Sequence, residues 1–291
     1  MGENNNSLLI ILNHNLLDIH SLFTESSDIS SSLYREVNTI NVLLDFTIEN
    51  PYELDYFLNL LYTLIREKVE YTVDINVLFK NKDKSDDTRF SSLLKTNTYI
   101  FVPAGYSINE VENINYFNPL KLKQKINYEY QNEEENNKFE YKSFKISAVG
   151  GTFDHLHDGH KILLALCTFL TSKKLIIGLT SEKLLVNKKF KQYLQPFEER
   201  RDEVLKFVEL LDSTLEYDIL PINDVCGPTG YEPNIELLIV SEETKAGGDF
   251  VNKTRSEKGL TQLSIFVVNV LGGKEKLSST YLRQLESEKK L

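Results

Sequence analysis

The sequence predicts an α/β protein of two domains, and three observations predict it. In residues 144–291 short apolar runs alternate regularly with helix-spaced stretches. Residues 1–126 show a looser version of the same alternation. Between them, residues 127–143 are polar and acidic with no apolar period, which reads as a linker or exposed loop. A chain of 291 residues is also the length expected for two domains of about 150.

The first-half elements follow in order. Leu8–Leu12 and Ile40–Phe46 are apolar runs that read as buried strands. Pro51 sits where a helix begins, and Leu54, Phe57, Leu58, Leu61, Leu64 and Ile65 have helical spacing across Tyr52–Glu67. Val73–Phe79 alternates polar and apolar residues, and Tyr99–Val102 is a short strand. Lys80–Asp87 and Asn4–Asn6 read as solvated loops, and no catalytic motif stands out.

In the second half the strand candidates are Phe144–Val149, Lys174–Leu179, Thr214–Leu220, Glu236–Ser241 and Leu263–Leu271. Helical stretches separate them at His160–Thr171, Pro196–Leu211 and Gly248–Lys258. This order predicts a parallel sheet with helices on both faces. Right-handed crossovers then gather the loops after the strands at one rim, where such sheets bind ligands.

Composition excludes several classes. The net charge of −10 argues against a general nucleic-acid binder. Residues 1–143 carry 13 basic and 22 acidic residues, against 20 and 21 in residues 144–291, so a polyanion site belongs in the second half. No apolar run reaches the roughly 20 residues of a membrane span, and the start lacks a signal-peptide pattern. Cys167 and Cys226 form neither a disulfide framework nor a zinc pattern, so no protein-held metal site is expected and the cytoplasm is the expected location.

Chemistry concentrates after the first second-half strand. Gly150-Gly151-Thr152-Phe153-Asp154-His155-Leu156-His157-Asp158-Gly159-His160 leads into an amphipathic helix and holds three of the chain's five histidines. Glycines allow close backbone approach, and a helix start suits a phosphate. G-x-G-x-x-G and the P-loop pattern are absent from this segment, which removes the dinucleotide oxidoreductase and P-loop readings.

Gly151–Asp154 followed by His157-Asp158-Gly159-His160 resembles the signature of the HxGH nucleotidyltransferases. Gln195–Arg200, Leu238–Thr244 and Leu277–Arg283 narrow the resemblance to the eukaryotic and archaeal type of phosphopantetheine adenylyltransferase, over about residues 144–287. The resemblance implies a Rossmann-like nucleotidyltransferase domain at 144–291, preceded by an additional domain at 1–126. It implies adenylyl transfer from ATP to 4′-phosphopantetheine, with Mg2+ accompanying the nucleotide. Bifunctional animal relatives continue into a kinase domain with a P-loop, and this sequence has none, so adenylyl transfer alone is expected. The Ser-Ser-Thr segment departs from the cytidylyltransferase pattern, which leaves a cytidylyltransferase acting on a phospho-alcohol as the alternative.

By the same resemblance, Thr152 holds the attacking phosphate, and His157 and His160 meet the nucleotide phosphates. Lys188 covers them, with Lys189 and Lys191 as rivals. Gly150, Gly151, Gly159, Ser278, Ser279, Thr280 and Arg283 are expected at the ATP. Arg200, Asn252 and Arg255 are weaker substrate contacts, Arg200 having a helix-start salt bridge as its other reading. His155 is expected to be structural, Cys167 to lie in the core, and Asp224–Gly230 to form a rim loop beside the pantetheine arm. Residues 1–143 have further readings: an interaction module that docks other coenzyme A enzymes or regulates the catalytic half, a packing domain that only stabilises its neighbour, or a degenerate copy of the catalytic fold in which the glycine–threonine loop is missing.

Overall fold

The computed structural model describes residues 6–13, 32–80, 86–108, 114–117, 139–269 and 278–289. Its contacts divide the chain into Met1–Glu133 and Glu134–Leu291. Residues 127–138 of the expected linker lie outside the described residues. The last part of it belongs to the second unit, because Phe139 is buried against Phe144 and Phe266.

The first unit contains β1 (Ser7–Leu12), α1 (Leu33–Glu36), β2 (Thr39–Leu44), α2 (Pro51–Arg66), β3 (Asp74–Phe79), α3 (Asp86–Thr96), β4 (Tyr99–Pro103) and β5 (Ile114–Phe117). The five strands form a parallel sheet in the order β3-β2-β1-β4-β5. Near-continuous apolar runs make β1 to β4 because both faces of such a sheet are covered. Helix α2 begins where expected: Asn50 Oδ1 accepts the N–H groups of Tyr52 and Glu53 at 3.1 and 2.9 Å, with Pro51 in the first turn. The paired residues Asn41 and Asn76 hydrogen-bond at 3.1 Å, which pins the register of β2 against β3. Asp86 and Asp87 correct the loop expected over Lys80–Asp87, since they open α3.

The second unit contains β6 (Phe144–Gly151), α4 (Asp158–Leu170), β7 (Thr171–Thr180), α5 (Phe197–Leu211), β8 (Glu216–Ile222), β9 (Leu237–Ser241), α6 (Lys245–Glu257), β10 (Ser264–Val268) and α7 (Ser279–Lys289). Its sheet is parallel in the order β10-β9-β6-β7-β8. The first strand is therefore central, and its carboxyl end opens at the point where strand order reverses. Helix α4 is apolar almost all round and packs against the sheet and α5. Among the described residues no helix is long and apolar enough to cross a membrane.

Candidate active site

The carboxyl end of β6 makes the centre of the site. Gly151 lies under the Phe153 ring, where a Cβ would meet the ring at 2.9 Å. Phe153 and His155 both adopt left-handed backbone conformations, at φ 49° and 48°. These two reversals carry the chain from β6 to the start of α4 within a few residues. Phe153 is fully buried and packs on the His160 ring at 5.1 Å.

His157 occupies the N-cap of α4 in extended conformation and stacks on His160, with ring centroids 3.8 Å apart and planes 20° apart. The His157 backbone N–H points to Nδ1 of His160 at 3.5 Å. That contact makes Nδ1 the acceptor and leaves Nε2 to carry the proton of a neutral ring. Burial, and then the neighbouring His157, push the His160 pKa well below the ordinary histidine value. Two stacked imidazoles at a helix N-terminus thus offer an anion hydrogen-bond donors without needing His160 to be charged.

Asp154 ties this loop to two other segments. Its buried carboxylate pairs with the Arg283 guanidinium, accepts the Gln195 N–H at 2.9 Å and lies 3.1 Å from His155 Nδ1. Burial pushes its pKa up, but the bonds from His155, Gln195 and Arg283 outweigh burial and hold it below the usual carboxylate value. Arg283 also donates to the Lys189 carbonyl and to Thr280 Oγ1, each at 3.1 Å. One guanidinium therefore fixes the start of α7, the lysine loop and the glycine–histidine loop together. The His155 ring reaches Glu286 on α7 at 3.2 Å.

A crevice of about 310 Å3 lies among these groups. Gly150, Gly151, Thr152, His157, Gly159 and His160 line it together with Lys188, Ser278, Ser279, Thr280 and Arg283. Lys188 is the lysine of its loop that reaches the crevice, whereas Lys189 contributes its carbonyl to Arg283. Ser278 Oγ also accepts the Tyr281 N–H at 3.3 Å, so the first turn of α7 is capped where it faces the crevice.

Beside it lies a cavity of about 480 Å3 that shares Gly150, Gly151, Thr152 and Thr244 with the crevice. Ala148, Ile176, Ile222, Leu238, Val240 and Val251 give it aliphatic walls, and among the described residues no basic or aromatic side chain lines it. Ile222 leans over Gly178, whose Cβ would meet it at 2.7 Å. The rim turn at 224–230 is closed by Asp224 Oδ1, which accepts the N–H groups of Cys226 and Gly227 at 2.9 and 2.8 Å.

Three residues expected as weaker substrate contacts are turned onto backbone groups. Arg200 is fully buried and donates to the carbonyls of Thr152, Thr180 and Gln195, so it clamps the carboxyl ends of β6 and β7. Arg255 is fully buried and donates to the carbonyls of Thr229, Glu232 and Thr261. Asn252 exchanges two hydrogen bonds with the Leu263 backbone, at 3.0 and 2.8 Å. Both hold the wall of the aliphatic cavity and neither lines it. The sequence reading missed Asp154 and Gln195 as organisers, and Ser241, Glu243 and Thr244 as lining residues. Gln195 and residues 241–244 lay within motifs that had been singled out, so their positions in those motifs were the available signal.

A central parallel strand ending in glycines and paired imidazoles, beside a helix-capped hydroxyl cluster, defines a nucleotidyltransferase-like site. A family model described as cytidylyltransferase-like matches residues 148–285. Over 148 residues the chain is 53% identical to the phosphopantetheine adenylyltransferase of Saccharomyces cerevisiae, covering 49% of this chain and 48% of that one. It is 39% identical to the phosphopantetheine adenylyltransferase of Pyrococcus abyssi, covering 48% of this chain and 89% of that one. The Thermococcus kodakarensis protein of the same name is 38% identical, over 49% of this chain and 86% of its own. The matched segment thus spans about half of the yeast relative and most of the archaeal ones. The chain belongs to the phosphopantetheine adenylyltransferase family.

Proposed function

We propose that the second unit transfers the adenylyl group of ATP to 4′-phosphopantetheine, giving dephospho-CoA and pyrophosphate. The observation that carries this reading is the junction at Thr152. There a polar crevice of imidazoles, hydroxyls, Lys188 and Glu243 meets an aliphatic cavity that, among the described residues, no basic side chain lines. The crevice suits a triphosphate. The cavity suits an uncharged amide-containing arm, and Thr152 stands where that arm's terminal phosphate would meet the nucleotide.

The roles follow from this arrangement. Thr152 orients the phosphate of the acceptor. One of its oxygens forms the new bond to the α-phosphorus of ATP while the bond to the β-phosphate breaks and its electron pair leaves with pyrophosphate. His160, donating from Nε2, and His157 bind the oxygens on which charge grows. Ser279, Thr280 and the α7 N-terminus take the leaving phosphates, and Lys188 closes over them. Arg283 and Asp154 hold these groups in register. No serine or cysteine nucleophile is needed, since the acceptor is itself a phosphate.

Among the described residues no group of three or more His, Cys, Asp or Glu side chains is arranged to hold a metal, and Asp154 is engaged by Arg283. Residues of this kind fit Mg2+ carried on the triphosphate, with Ser279 and Thr280 beside it, rather than a protein cage. Bound there, Mg2+ supplies charge neutralisation on the leaving phosphates.

The test is incubation of the full chain with 4′-phosphopantetheine and either ATP or CTP. Dephospho-CoA formed with ATP, at one pyrophosphate per product, is the expected result. Absence of product with ATP, or turnover only with CTP, contradicts the proposal.

A further inference from the structure

The two units are built on the same sheet. Adding five to each strand number of β3-β2-β1-β4-β5 gives β8-β7-β6-β9-β10, and every neighbouring pair is parallel in both. The helix after the second strand recurs as well, with 16 residues in α2 and 15 in α5. In each unit strand order reverses at the carboxyl end of the central strand, the place where open sheets take their ligands.

The chemistry at that place differs. Between Gly2 and Gly105 the sequence has no glycine, so β1 is followed by nothing equivalent to Gly150-Gly151. The segment joining β2 to α2, Asp45–Asn50, contains two carboxylates and no Lys or Arg. Its counterpart between β7 and α5 carries Lys188. Asp45 accepts Lys80 Nζ at 2.7 Å and also the Tyr106 hydroxyl, which draws together the chain leaving β2, β3 and β4. Burial and the Asp45 carboxylate push the Tyr106 pKa up, which keeps that hydroxyl a donor. Arg89 is turned onto the Phe79 carbonyl at 2.6 Å. Among the described residues the crevice between these groups measures about 180 Å3, against about 310 and 480 Å3 in the second unit. Drawing Lys80 toward a triphosphate there would leave the buried side of the Asp45 carboxylate short of its partner.

We propose that residues 1–133 are a nucleotide-silent second copy of the nucleotidyltransferase sheet, its rim closed by Asp45, Lys80 and Tyr106, so that the full chain carries one ATP site. The word nucleotide here rests on the function proposed for the second unit.

The test is photolabelling of the full chain with 8-azido-ATP, followed by proteolysis and mass spectrometry, with equilibrium dialysis of ATP alongside. The expected result is label confined to peptides of 134–291 and one ATP bound per chain at saturation. Label within 1–133, or two ATP per chain, overturns the proposal. Absence of label from both units leaves the first unit silent as proposed, and removes the function proposed for the second. Asp45→Asn is expected to lower the melting temperature while leaving kcat and the KM for ATP unchanged; a several-fold rise in that KM would also overturn it.

Discussion

The carboxylate of Asp154 and the guanidinium of Arg283, 129 residues apart in sequence, form a buried ion pair that joins the loop after β6 to the first turns of α7. Arg283 spends its other donors on the Lys189 carbonyl and Thr280 Oγ1. Removing one partner leaves an uncompensated buried charge, which costs about 3–5 kcal/mol. Arg283→Leu is therefore expected to lose about that much stability in urea unfolding. Arg283→Lys, which cannot reproduce the planar fork, is expected to recover only part of it. Equal stability of both variants with the parent chain would contradict this.

His160→Asn separates the two jobs of that ring. The amide oxygen can still accept the His157 N–H, while the donor at Nε2 is lost. Turnover is expected to fall about 10²–10³-fold, the usual cost of removing one donor to a developing oxyanion, with far-UV circular dichroism unchanged. Steady-state kinetics of dephospho-CoA formation makes the check.

Lys188 lines the crevice, whereas Lys189 serves through its backbone. Lys188→Ala is expected to lower kcat about 10–100-fold, or about 1.4–2.8 kcal/mol of transition-state stabilisation. Lys189→Ala and Lys191→Ala are expected to stay within about twofold of the parent. A reversed order would move the phosphate contact to another lysine.

The His155 pKa is raised, first by the Asp154 carboxylate 3.1 Å from its Nδ1 and, against some burial cost, by Glu286. A raised folded value means that its stabilising contribution is complete below the ordinary value of 6.5 and is lost as pH climbs through the folded value. His160 works in the opposite sense: its lowered value withdraws stability as pH falls below 6.5. The stability gap between the parent chain and His155→Asn, which tolerates the left-handed backbone, should therefore be widest in mildly acidic buffer and narrow toward alkaline pH. Denaturant melts across that range test it, and a gap that widens with pH would refute it.

Much of the second unit was legible because its strands are short apolar runs that alternate with helix-spaced stretches. Other parts were hidden for definite reasons. Helix α6 starts at Lys245, three residues before the expected Gly248, because Gly247 and Gly248 read as breakers. Tertiary packing calls for glycine there: a Cβ on Gly248 would meet Ile265 at 3.1 Å. Arg200, Asn252 and Arg255 looked like ligand contacts because their partners are backbone groups, which leave no mark on side-chain chemistry. Asp154 sat inside the motif without its partner being visible, since Arg283 lies in the last helix. Helix α3 escaped notice because Asp86-Asp87-Thr88-Arg89 has the composition of a solvated loop.

The most direct measurement is a crystal structure of the full chain with ATP and 4′-phosphopantetheine bound. The account predicts the triphosphate between the His157–His160 pair and Ser279, the acceptor phosphate on Thr152, and the arm in the aliphatic cavity below Ile222. A triphosphate seated elsewhere, or an arm that leaves that cavity empty, would contradict it.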